Sequence, residues 1–244
     1  MIRVDGVTRR FGQVVALDDV RFAAADGEIT GILGPNGAGK TTLMRILATL
    51  IPADAGRAEV DGFDCARDTL DVRRRFGILS DAKGLYPRLT ARENVAYFGA
   101  LHGLTTAQVG TRIETLFADL DMAALANRRT EGFSQGERMK TAIARALVHD
   151  PQNVLLDEPT NGLDVLATRA MRELILALKA AGKCVLFSSH IMQEVSAVCD
   201  RIVVLNRGRI AAAGTPAELL AHADRATLED AFVALLGSAE GLEP

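Results

Sequence analysis

A chain of 244 residues that is 48% apolar, 24% charged and 5% aromatic has the balance of one large α/β domain or two small ones, with a core of Leu, Val, Ile and Ala. Its 28 basic and 31 acidic side chains leave a formal charge of -3, which excludes the basic field that grips nucleic acid. No stretch approaches the roughly 20 apolar residues of a membrane-spanning helix, and the start, Met1 to Asp5, lacks the apolar run of a signal peptide. Any membrane role is therefore expected to come through docking to another protein. Cys65, Cys184 and Cys199 are far apart and lack metal-ligand spacing, so they read as small buried hydrophobes in a reducing compartment.

In chain order, the first third reads as strands and turns. Glu28 to Leu33 is a short apolar strand that ends in a glycine-rich segment. Leu43, Ile46, Leu47 and Leu50 then recur at the spacing of one helix face, with Pro52 expected to stop the helix. Arg57 to Asp64 suggests a further strand and turn, joining the N-terminal strands in an antiparallel edge sheet.

From about Thr90 to Leu147 the β pattern gives way to helix, opened by Thr90 and Glu93 as a capping box. Beyond Pro151 strands and helices alternate. Val154 to Leu156 reads as a buried strand, and Met171, Leu174, Ile175 and Leu178 mark a helix. Cys184 to Ser188 and Arg201 to Leu205 read as strands, the latter turning at Asn206 to Arg209 into a hairpin. Such alternation implies a mostly parallel sheet. Leu228, Ala231, Phe232 and Leu235 mark a final helix, with fraying expected from Gly237.

Gly34-Pro35-Asn36-Gly37-Ala38-Gly39-Lys40-Thr41 matches the phosphate-loop pattern without a gap, and Thr42 follows it. Its glycines let backbone N–H groups surround phosphate oxygens, and the helix that begins there adds its positive end. Lys40 supplies a full charge to the β- and γ-phosphates, and the Thr41 hydroxyl a ligand for Mg²⁺. Asn153 to Glu158 is an apolar strand that ends in two carboxylates. Asp157 is expected to hold Mg²⁺ through water, and Glu158 to accept a proton from the attacking water. His190 follows the Cys184 strand and is expected at the sheet's C-terminal edge, oriented toward the γ-phosphate. Ser134 and Glu137 form a second capping box at a helix start, which is also an anion site.

Together these segments resemble the ATP-binding subunits of ABC transporters over nearly the whole chain, from Ile2 to Gly237. Gly34–Thr41 is similar to the family's Walker A motif and Val154–Glu158 to its Walker B motif. Phe133–Glu137 falls at its signature, Asn161–Asp164 at its D-loop, His190 at its switch histidine and Phe11 at its adenine-stacking aromatic. The resemblance implies an α/β fold: a P-loop NTPase (RecA-like) core with a mostly parallel sheet, an N-terminal antiparallel β subdomain and an inserted α-helical subdomain. It implies one ATPase domain over residues 1–237, with the helical subdomain at about 89–148, and a tail at 238–244.

It further implies ATP and Mg²⁺ as cofactors, a separate integral membrane permease as partner, and a place on the cytoplasmic face of the membrane. A homodimer would form on ATP binding, in which Ser134, Gln135, Gly136, Glu137 and Asp164 of one copy complete the site on the other. Two positions depart from the family pattern. Gln135 and Glu137 stand where the signature has Gly and Gln, and Asp81 stands where a Gln normally reaches Mg²⁺. As an oxygen ligand Asp81 is a candidate metal residue. The runs Ser80 to Asn94 and Ser134 to Leu147 look like the sodium-extrusion branch of ABC exporter ATPases, and drug- and polysaccharide-export ATPases share much of that pattern. The rival readings are a non-transport ABC ATPase, a P-loop kinase or GTPase, and a module that binds ATP without turnover. A single phosphate loop and no extended heptad pattern speak against the first, the signature and D-loop against the second, and Glu158 with His190 against the third.

Overall fold

The computed structural model describes residues 1–79 and 84–239, arranged around two sheets with a helix between them. The smaller sheet is antiparallel, in the order β2-β1-β4-β5, from β1 (Ile2–Phe11), β2 (Val14–Ala24), β4 (Ala55–Val60) and β5 (Phe63–Asp64). The larger runs β10-β9-β3-β8-β7-β6. Its strands are β3 (Ile29–Leu33), β6 (Phe76–Leu79), β7 (Asn153–Asp157), β8 (Cys184–Ser189), β9 (Arg201–Asn206) and β10 (Arg209–Gly214). All its pairings are parallel except that of the edge strand β10. The expected N-terminal β subdomain and mostly parallel core are both present.

The larger sheet is buried on both faces, which is why its central strands are continuous apolar runs rather than alternating ones. Ile32, Leu155, Leu186 and Val203 pack toward the smaller sheet, together with Leu43, Met44, Ile46 and Leu47 of α1 (Lys40–Leu47). Leu33, Leu156, Phe187 and Val204, one step along each strand, pack on the opposite side. Burying a side chain of this size contributes about 1.5–3 kcal/mol, so α1 is clamped between the sheets with its N-terminus fixed at the end of β3.

A helical layer, α3 (Ala91–Leu101), α4 (Thr106–Asp119) and α5 (Gln135–Leu147), is inserted between β6 and β7. The expected capping boxes at Thr90/Glu93 and Ser134/Glu137 are formed, and a third opens α4 at Thr105/Gln108. The remaining helices are α2 (Thr69–Arg75), α6 (Val165–Ala180), α7 (Met192–Val198), α8 (Pro216–Ala223) and α9 (Leu228–Ala239).

Three expectations need correction. The first helix ends at Leu47, because Thr49 turns with φ 59°, and Leu50 is 61% exposed rather than on the buried face. The strand expected from Arg57 already begins at Ala55. The last helix runs through Gly237 to Ala239, anchored by buried Ala231 and Leu235. The three cysteines are buried and free, and burial pushes the Cys65 and Cys184 thiols up to about 12, as the structural reading requires. Among the described residues no helix is long and apolar enough to cross a membrane.

Candidate functional site

Three neighbouring parallel strands end side by side and carry the candidate site residues. β3 runs into the glycine loop, β8 into His190 and β7 into Glu158, with Leu33 paired to Ser189 and Asp157 to Ser188 across the ladder. The groups converge because parallel strands present all their C-terminal ends on one edge of the sheet. They open into a cleft of about 570 Å³, lined by Pro35 through Thr42, Asp157, Glu158, Asn161 and His190, with Val14, Val15 and Ala16 as its far wall.

Gly39 precedes α1 with φ 109°, and a Cβ there would lie 2.5 Å from the Ala16 carbonyl oxygen, so only glycine brings the loop this close to β2. That conformation aims the free N–H groups of the first helical turn into the cleft. Lys40 is buried, and its ammonium donates to the carbonyls of Gly34 (2.7 Å) and Pro35 (3.2 Å), so the stem is fixed inside the loop it serves.

Glu158 turns off the end of β7 with φ 47°, a left-handed conformation that costs a non-glycine residue about 1–2 kcal/mol. Ser188 holds it there. The Glu158 N–H donates to Ser188 Oγ at 3.0 Å, and that hydroxyl donates to Asp157 Oδ1 at 2.5 Å. The turn carries the Glu158 carboxylate between Lys40 and His190: Oε1 lies 3.4 Å from Lys40 Nζ, and Oε2 lies 2.9 Å from His190 Nδ1. Behind them, Glu194 Oε2 accepts from Thr160 Oγ1 (2.5 Å) and Ser189 Oγ (2.9 Å), tying the loop after Glu158 to the strand before His190. Sequence reading missed Ser188 and Glu194 as supports; no spacing signal marks either, since they act across neighbouring strands.

Hydroxyl and carboxylate oxygens of Thr41 and Asp157 line the same cleft, an all-oxygen donor set suited to a hard divalent cation. Among the described residues no cluster of three or more His, Cys, Asp or Glu forms a preassembled metal site, so such a cation would share its ligation with phosphate oxygens and water. Asp81 lies outside the described residues.

Other expected site residues do not line this cleft. Phe11 ends β1 and is 48% exposed, with the Arg9 guanidinium 4.8 Å from its ring and Val14 as its cross-strand partner. Ser134, Gln135, Gly136 and Glu137 begin α5 in the helical layer, and none of them lines the cleft of its own chain. Glu137 points back: one carboxylate oxygen accepts the Ser134 N–H at 2.7 Å, and the other lies 3.2 Å from Arg128. Those contacts hold its carboxyl below the ordinary range, chiefly through the Ser134 N–H. Asp164 caps α6 by accepting from the Ala167 N–H at 2.8 Å.

A glycine loop joining a buried strand to a clamped helix, beside a neighbouring strand tipped with two carboxylates, defines a P-loop nucleotide-binding domain. Comparison with known proteins carries this further. The ABC transporter family model matches residues 17–161. The ABC transporter ATP-binding protein NatA of Bacillus subtilis is 46% identical over 215 residues, covering 86% of this chain and 87% of that protein. The daunorubicin resistance ATP-binding protein DrrA3 of Streptomyces coeruleorubidus is 38% identical across 100% of this chain and 78% of its own length. A solved ATP-binding subunit of an ABC transporter superposes with a TM-score of 0.89 at 29% identity, over 96% of this chain and 99% of that one. The dimeric, post-hydrolysis structure of the ATP-binding cassette MJ0796 with ADP and Pi gives 0.79 at 25% identity, over 88% of this chain and 98% of that one. The chain belongs to the ABC transporter family, as one of its ATP-binding subunits.

Proposed function

We propose that the chain is the ATP-hydrolysing motor of an ABC exporter, working as an ATP-bridged homodimer on a separate membrane permease at the cytoplasmic face. The observation that carries this reading is the Glu158 carboxylate, held by a strained turn between Lys40 and His190 at the mouth of the phosphate loop. The loop's N–H groups and Lys40 bind the β- and γ-phosphates of ATP. Glu158 accepts the proton of the water whose oxygen attacks the γ-phosphorus, and ADP departs with the electrons of the broken P–O bond. His190 orients the Glu158 carboxylate and contacts the γ-phosphate. Thr41 and Asp157 would hold Mg²⁺, which would supply neutralising charge at the phosphate oxygens.

The signature residues Ser134 to Glu137 do not line the chain's own cleft, which supports a site completed by a second copy. Val165 and Leu166, 85% and 78% exposed just beyond the D-loop, supply apolar surface for that contact. The closed dimer would grip two ATP molecules, and loss of phosphate would release it and move the permease. The similarity to the MJ0796 dimer supports the same arrangement.

Sodium ion is the cargo we propose, from the likeness of Ser80 to Asn94 and Ser134 to Leu147 to the sodium-extrusion branch. A drug-sized cargo is the second reading, favoured by the full-length match to a daunorubicin resistance ATP-binding protein. Hydrolysis of Mg-ATP by the purified chain tests the motor. Turnover should fall about 10²–10⁴-fold in Glu158→Gln with nucleotide still bound, and full activity in that variant would remove Glu158 as the base. Flux of sodium against flux of drug in vesicles containing the permease separates the two cargoes.

A further inference from the structure

Gln135 departs from the family signature, and its side chain has a specific use in this chain. It is the first residue of α5, whose start is already fixed by the Ser134/Glu137 capping box. From there Nε2 donates to the main-chain carbonyl of Asn161 at 3.1 Å. The same nitrogen lies 2.3 Å from where a Cβ on Gly162 would fall, and Gly162 has φ 71°. The amide thus rests against the one residue of this loop that lacks a side chain.

Asn161 lines the nucleotide cleft, and its N–H donates to the Glu158 carbonyl at 3.2 Å. A second turn bond, from the Leu163 N–H to the Thr160 carbonyl at 3.0 Å, closes the loop on itself. Two hydrogen bonds therefore lead from the helical layer to the backbone of the residue whose carboxylate faces Lys40 and His190. Glycine at position 135, as in the family signature, has no group that could make the first of them.

We propose that Gln135 is a positioning residue for ATP hydrolysis: by clasping Asn161 and Gly162 it holds the Glu158 turn in register and ties the orientation of the helical layer to that of the base. This rests on the reading of Glu158 as the base. The contact is a single neutral hydrogen bond at the surface, so its loss should be felt as a modest change in rate, of about three- to tenfold.

A double-mutant cycle on the purified full chain with Mg-ATP tests it. Gln135→Ala should lower kcat about three- to tenfold while the affinity for a fluorescent ADP analogue, which leaves the chain monomeric, stays within about twofold. Gln135→Glu should do the same, because a carboxylate cannot donate to the Asn161 carbonyl. Gly162→Ala puts a Cβ where the amide lies and should lower kcat more in the wild-type than in the Gln135→Ala background; its backbone strain is common to both backgrounds and cancels in the coupling. Unchanged kcat in both Gln135 variants, a rise in KM alone, or fully multiplicative effects in the cycle would overturn the clasp. Glu158→Gln run alongside tells the two ideas apart. If it abolishes turnover while the Gln135 variants remain wild type, the clasp fails and the base stands; if it leaves turnover intact, both fall.

Discussion

Replacing Glu137 by glutamine restores the family's signature residue and separates the charge of this side chain from its hydrogen bond. In the native chain the carboxylate accepts the Ser134 N–H at 2.7 Å, lies 3.2 Å from Arg128 and sits in the first turn of α5. Glutamine keeps an oxygen for Ser134, so the capping box survives. What is lost is the exposed pair with Arg128, about 0.2–1 kcal/mol, and part of the attraction to the positive end of the helix, about 0.3–1 kcal/mol. Urea unfolding at neutral pH should therefore show a loss of about 1 kcal/mol, whereas Glu137→Ala, which breaks the box, should lose about 1 kcal/mol more.

The pH dependence of that difference has a definite sign. The Ser134 N–H holds the folded carboxyl below its ordinary 4.5, so the folded state binds this proton less readily than the unfolded chain. Its contribution is complete above 4.5 and is lost as pH falls through the lowered folded value, so the wild-type advantage over Glu137→Gln should shrink there. Because the side chain is turned onto its own helix, ATP turnover in Glu137→Gln should stay within about twofold of wild type. A stability loss above about 3 kcal/mol, beyond what an exposed pair and a helix end supply, would refute this reasoning. So would a change in turnover of more than about tenfold.

Lys40→Ala should abolish ATP binding in a fluorescent-nucleotide titration, since the loop loses the charge that its own carbonyls hold in place; unchanged affinity would contradict the phosphate-loop assignment. His149 offers a second pH test. Its ring stacks on His102 with centroids 3.5 Å apart, and its Nε2 lies 3.0 Å from the Phe76 carbonyl oxygen, with Arg112 and Asp150 nearby. Burial, then the neighbouring His102, pushes it down from the usual 6.5 to about 4. The folded chain thus resists a proton that the unfolded chain takes, and stability should fall as pH drops between those values, by at most about 3 kcal/mol. Unfolding of His149→Gln across this range should show a shallower fall, and an identical slope would show that the pair is not responsible.

Local features were legible in the sequence because their causes are local. The phosphate loop, the Thr90/Glu93 and Ser134/Glu137 boxes and the Asn206 to Arg209 hairpin each depend on a few adjacent residues, and each is formed. That the strands ending at Gly34, Glu158 and His190 run parallel followed from their alternation with helices, whereas their order in the sheet did not. What stayed hidden depends on residues brought together from afar. Ser188 supports Glu158 across a strand pairing, Glu194 joins two loops from a helix, and Gln135 reaches Asn161 between layers. Leu50 kept the helical spacing in the sequence but lies beyond the turn at Thr49, a case where backbone conformation overrides periodicity. The sequence places Glu137 in the signature but does not show that its carboxylate turns back to Ser134 and Arg128.

Light scattering on purified Glu158→Gln, with ATP and with ADP, tests most directly whether a triphosphate joins two copies of this chain. ATP should yield a stable dimer and ADP a monomer, with the ATP-dependent dimer lost again when Lys40→Ala is added. A variant that remains monomeric with saturating ATP, both alone and beside its permease, would contradict the account.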